Sequence, residues 1–133
     1  MARLCAAWGA ALLVWLVGFA VVARLMPPIA PGDHISDFDK TVRLHVPWIV
    51  ISTLMALVAG ALYTDRSRPV RRWSAIFLVP ALATLAGLVA GLAGRTAVPG
   101  AFLYLAEGVA GVLIGTVLTN LMTAKETATS GYF

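Results

Sequence analysis

Residues 73–94 read WSAIFLVPALATLAGLVAGLAG, 22 consecutive residues without a charge. A helix needs about 20 predominantly apolar residues to cross roughly 30 Å of hydrocarbon, so this stretch is by itself a spanning candidate. Three more stretches match it. Between Arg3 and Arg24 lie 20 uncharged residues, and between Arg43 and Asp65 lie 21. From Thr96 to Ala124 there are 29 residues whose single charge is Glu107. The expected fold is an all-α membrane protein, a four-transmembrane-helix bundle forming one domain over residues 1–133. Its helices are expected at about 4–25, 46–64, 73–94 and 101–124.

Composition supports the same class. Of the 133 residues, 60% are hydrophobic and 12% charged, with mean hydropathy +0.89. A soluble domain carries about 25% charged residues, so this chain could not cover a globule of its size with polar surface. The first apolar run is longer than the core of a signal peptide, and Met26-Pro27-Pro28 offers no small-residue cleavage site. It is read as a retained helix. Cys5 is the only cysteine; it cannot form an internal disulfide and is read as a helix-packing residue.

The basic residues set an expected orientation. Asp65-Arg66-Ser67-Arg68-Pro69-Val70-Arg71-Arg72 places four arginines in eight residues, and the positive-inside rule assigns that connection to the cytoplasm. Both termini then also lie in the cytoplasm, with Arg3 and Lys125. Arg24, Lys40, Arg43 and Arg95 fall outside. The net charge of +4 is therefore read as topology and lipid-headgroup contact. No basic, water-facing surface suited to nucleic acid is evident, and no nucleic-acid partner is expected.

Small residues recur on the third and fourth spans. Gly87 and Gly91 form one GxxxG pattern, Gly111 and Gly115 another. Such patterns allow close backbone approach between helices in lipid. Packing of these two spans on each other is the expectation, with docking against a partner subunit as the alternative. Glu107 is the one acid inside a span, where a charge is expensive and often functional. An Arg95–Glu107 ion pair across the last hairpin is the expected arrangement, the alternatives being an ion site or a subunit contact.

The remaining polar groups near the same interface are Asp39, Lys40, Arg43 and His45, a possible outer-face site. With Asp33, His34 and Asp37 they lack a recognised metal-ligand spacing. His34 and His45 are too close in sequence, and on one side, to clamp a haem. No metal and no cofactor are expected. No nucleophile–base set or phosphate-cradling loop is evident either, so the chain is not read as an enzyme.

Phe38-Asp39-Lys40 after the first span, Gly94-Arg95 before the last, and Gly111-Val112-Leu113-Ile114-Gly115 within it resemble the VanZ-like family of small membrane proteins. That resemblance implies a four-helix envelope protein acting at the outer leaflet in glycopeptide resistance. The family's histidine three residues beyond the lysine is replaced here by Arg43, with His45 two further on. The leading expectation from the residues themselves is a non-catalytic accessory subunit of a larger membrane complex in a bacterial plasma membrane. It would contact membrane lipids and other integral membrane subunits through its glycine-rich faces. A VanZ-like protein, or a small transporter or channel subunit using Glu107, are the alternatives.

Overall fold

The computed structural model describes residues 1–25, 36–65, 67–93 and 98–129, and these are helical apart from short connections. In chain order they form α1 (Ala2–Leu25), α2 (Asp37–Lys40), a π-helical turn (Thr41–His45), α3 (Val46–Leu62), α4 (Pro69–Ala93) and α5 (Val98–Thr129). Four segments among them are long and apolar enough to cross a membrane: Ala2–Leu25, Thr41–Leu62, Pro69–Ala90 and Gly100–Met122.

Local chemistry explains where these helices begin. Ser36 caps α2: its Oγ accepts the Asp39 N–H at 3.1 Å and its hydroxyl donates to Asp39 Oδ2 at 2.8 Å. This is a variant of the capping box, satisfying a first-turn donor that has no helical partner. Residues 37–45, expected as loop, are therefore helical. Pro47 has no N–H and its ring crowds the carbonyl four residues back, which belongs to Arg43. The wider π turn lies over that carbonyl and carries the chain into α3. Pro69 opens α4, where a missing N–H costs nothing, so α4 starts four residues before the expected Trp73. Likewise α5 starts at Val98, with Pro99 in its first turn, and runs on through Thr129.

α3 and α4 form the middle of the bundle, and each packs on both α1 and α5. The α3–α5 contact is the most extensive, and the two helices run parallel. Trp48 meets Tyr104 near their starts, and Thr119 meets Leu57 and Gly60 near their ends. Close approach is built from small residues on both sides. A Cβ on Gly111 would lie 2.6 Å from Ile49 O and 2.7 Å from Ser52 Cβ. One on Gly115 would strike the carbonyl of Thr53 and meet Ala56 Cβ at 2.8 Å. At Gly60 it would meet Thr119 Cγ2 at 2.7 Å.

This corrects the expected use of the glycines. Gly111 and Gly115 seat α5 on α3, the second span, rather than on α4. Their partners Ser52 and Ala56, and Gly60 that meets Thr119, recur every four residues, which keeps small side chains on one face of a helix. Gly87 is the glycine that does face α5 from α4, where a Cβ would collide with the Tyr104 ring and hydroxyl. The surroundings of Gly91 lie outside the described residues.

Cys5, expected to pack between helices, is exposed. Trp48 and Tyr63, at the two ends of the second span, are both buried. Trp8 anchors α1 to α4 by donating its indole N–H to Ser74 O at 3.1 Å.

Two stability predictions follow from this packing. Gly115→Leu drives a side chain into α3 backbone, which cannot move aside, and overpacking of this kind costs about 1–3 kcal/mol. Gly9→Leu is the control, because a Cβ at Gly9 meets nothing within 4 Å. The thermal midpoint in detergent should fall for Gly115→Leu and hold for Gly9→Leu. Ser52 is fully buried and its Oγ has no hydrogen-bond partner among the described residues, so Ser52→Ala should leave that midpoint unchanged or raise it, with a gain in stability of up to about 1 kcal/mol.

Candidate functional site

At the end of the bundle where α3 and α5 begin, all four long helices wall a cavity of about 440 Å³. α1 contributes Phe19 and Val22, α3 contributes Trp48 and Ile51, α4 contributes Leu88, and α5 contributes Ala101 and Tyr104. These walls are apolar or aromatic. The polar groups that reach the cavity are Arg43 and His45 from the π turn and Glu107 from α5. The volume lies within the range of small-molecule sites, as does the pairing of apolar walls with a few converging polar groups.

Two aromatic residues shape the floor. Trp48 and Tyr104 stack with ring centroids 4.6 Å apart and planes 11° from parallel. The indole N–H of Trp48 donates to Tyr104 O at 3.1 Å, so this buried donor is satisfied. Gly108 makes room for it: a Cβ there would lie 3.1 Å from Trp48 Nε1 and 2.8 Å from Thr84 Oγ1. Phe19 approaches the other side of Trp48, with centroids 5.9 Å apart. The Tyr104 ring in turn occupies the space that Gly87 leaves open.

Glu107 is buried, and its Oε1 lies 2.5 Å from Nδ1 of His45. From Gly100, where the apolar span of α5 begins, seven residues at a 1.5 Å rise place Glu107 roughly 10 Å along the helix. A buried carboxyl group is costly unless it is paired and hydrogen-bonded. His45 supplies the contact because the π turn carries it one helical turn ahead of Trp48, over the start of α5. Its side chain is only about one-third exposed, at 31%.

The other site residues expected from sequence divide as follows. Arg43 and His45 reach the cavity together with Glu107. Asp39 does not; its carboxylate accepts the Ser36 hydroxyl in the α2 cap. Lys40 belongs to α2, but its side chain lies outside the described residues, as do Arg95, Asp33 and His34. The described partner of Glu107 is thus His45 rather than the expected Arg95. Among the described residues no three His, Cys, Asp or Glu side chains gather to hold a metal ion.

Sequence reasoning missed the aromatic floor. Neither Trp48 nor Tyr104 stands out in the sequence, since a lone Trp or a lone Tyr in an apolar span does not signal a ligand pocket. A cue was present at the four-residue spacing of Trp48, Ser52, Ala56 and Gly60, which marks one face of α3 as a packing face. Compared with known proteins, the chain matches no family model, no curated protein and no solved structure.

Breaking the His45–Glu107 contact from one side should cost more than removing both groups. His45→Ala leaves a buried carboxyl group without its partner, a loss of about 1–3 kcal/mol. His45→Ala combined with Glu107→Leu should recover part of that loss. Thermal unfolding of the two single variants and the double variant measures the coupling; additive effects would contradict a direct pair.

Proposed function

We propose that the chain is a non-catalytic, multi-pass protein of a bacterial plasma membrane that holds an amphipathic molecule at the outer-leaflet interface. The observation that carries this reading is the cavity itself. It has an apolar and aromatic body, and Arg43, His45 and Glu107 gather at it. A hydrocarbon tail would lie against Phe19, Val22, Ile51 and Leu88. A polar or anionic head would be met by Arg43, whose guanidinium suits a carboxylate or phosphate.

The orientation rests on the arginine-rich connection. With Arg66, Arg68, Arg71 and Arg72 in the cytoplasm, an even number of spans returns both termini there and turns the cavity outward. This reading shares with the VanZ-like resemblance a site at the outer leaflet. It draws on Arg43 and His45 rather than on Asp39, which caps a helix.

The accessory-subunit reading depended on glycine faces free to dock a partner. Gly87, Gly108, Gly111 and Gly115 all face neighbours within the bundle, so that argument moves to the interior. A partner subunit would meet apolar outward faces such as Leu13, Leu16 and Val17 of α1, where lipid is equally well accommodated.

The test is mild-detergent extraction from native membranes, native mass spectrometry and analysis of the bound molecules. An amphipathic molecule should be retained at fixed stoichiometry. Leu88→Trp, which fills the cavity from α4, should lose it while helicity by circular dichroism is kept. Equal retention by wild type and variant would overturn the reading. Comigration with larger subunits and no retained molecule would restore the accessory role. Ion flux abolished by Glu107→Gln would favour a transporter subunit.

A further inference from the structure

The opposite end of the bundle carries a second basin, of about 340 Å³. It is built from parts far apart in sequence: Arg3 and Leu4 of α1, Tyr63 and Asp65 after α3, and Arg68 and Arg71 around the start of α4. Three guanidinium groups and one carboxylate line it, so its side chains carry a formal charge of +2. That carboxylate is already engaged. Asp65 Oδ1 accepts the Ser67 hydroxyl at 2.6 Å and the Ser67 N–H at 3.0 Å. The Ser67 hydroxyl bond, then its N–H, hold the Asp65 carboxyl below its usual range, with Arg68 and Arg3 adding attraction. Asp65 thus orders the connection around Ser67, and the excess positive charge remains. The first turn of the 25-residue α4 adds the positive end of its dipole beside Arg68 and Arg71.

Arg72 behaves differently from its neighbours. Its Nη2 donates to Asn120 Oδ1 of α5 at 2.6 Å, and it does not line the basin. One arginine of the cluster thus ties α4 to α5, while Arg3, Arg68 and Arg71 converge on a concave space. A purely topological role for the cluster requires positive charge but no convergence.

We propose that this basin binds a phosphate group presented by an anionic lipid, with Arg3, Arg68 and Arg71 as its cationic walls. Guanidinium forks match phosphate oxygens in paired hydrogen bonds. The local charge of +2 complements a phosphomonoester better than a diester. Leu4 on the wall and the apolar spans of α1 and α4 below leave the lipid's chains beside the helices. The site is independent of the cavity at the other end.

The experiment uses the full chain in nanodiscs or mixed micelles containing phosphatidate, phosphatidylglycerol or phosphatidylcholine, with bound lipid counted by native mass spectrometry. Retention should rank phosphatidate above phosphatidylglycerol, with phosphatidylcholine at background. Arg3→Gln, Arg68→Gln and Arg71→Gln should each weaken phosphatidate retention roughly tenfold, the size of one charge-assisted contact. Arg72→Gln, an equal change in net charge, should leave retention unchanged. Arg71→Lys should fall between wild type and Arg71→Gln, because charge is kept and the fork is lost. Equal losses for Arg72→Gln and Arg71→Gln would reduce the basin to diffuse surface charge and overturn the proposal. Displacement of the lipid by inorganic phosphate at equal concentration would also overturn it, assigning the site to the free ion.

Discussion

The close approach of α3 and α5 is the contact on which the rest of the structure depends. Two helices joined through a third would ordinarily be separated by side chains along their full length. Here Ser52, Ala56 and Gly60 on one helix face Gly111, Gly115 and Thr119 on the other, so the backbones come together. In a hydrocarbon surrounding, where burial of apolar surface no longer drives association, such fit is the main source of packing energy. Thr116 and Thr119 on this seam bond within their own helix, donating to Val112 O at 2.7 Å and to Gly115 O at 2.8 Å. They therefore add little polarity to a surface that must fit closely.

The cavity follows from where that seam ends. At its upper limit the small residues give way to Trp48 and Tyr104, which stack instead of interlocking. Beyond them the helices no longer close on one another, and Phe19, Ile51, Leu88 and Ala101 line the space between. The π turn enters there with His45 and Arg43. Its cause is local, the proline at position 47, yet its effect is to place an imidazole against a buried carboxyl group from 62 residues further along the chain. A straight helix entering α3 would present a different residue to Glu107, since each added residue rotates the helix by about 100°.

The two ends of the bundle have opposite chemical characters. One holds a mostly apolar cavity, with the His45–Glu107 contact and Arg43 at it. The other gathers guanidinium groups around a carboxylate that is occupied by its own turn. For a chain read as spanning a membrane, that asymmetry matches the difference between a leaflet interface that admits an apolar tail and one that meets anionic headgroups. The lateral faces between them are apolar, as the exposed leucines and valines of α1 and α5 show.

Four long helices and their apolar character were legible in the sequence, because apolar runs of 20 or more residues with at most one charge need no tertiary information to interpret. That Glu107, Gly111 and Gly115 are unusual was also legible, since acids and glycines inside apolar spans stand out by type. Their partners were not. Spacing shows which residues share a face of one helix, but not which helix that face will meet. So Gly111 and Gly115 were assigned to the adjacent span rather than to α3, and Glu107 to the arginine nearest in sequence. The cap at Ser36 and the turn before Pro47 were readable only in hindsight, because loop-like composition hid a helical start. Sequence alone thus determined the kind of molecule and its unusual residues. The tertiary structure decided which of them touch, because contacts between helices depend on the rotation and neighbour of each, and a linear pattern specifies neither.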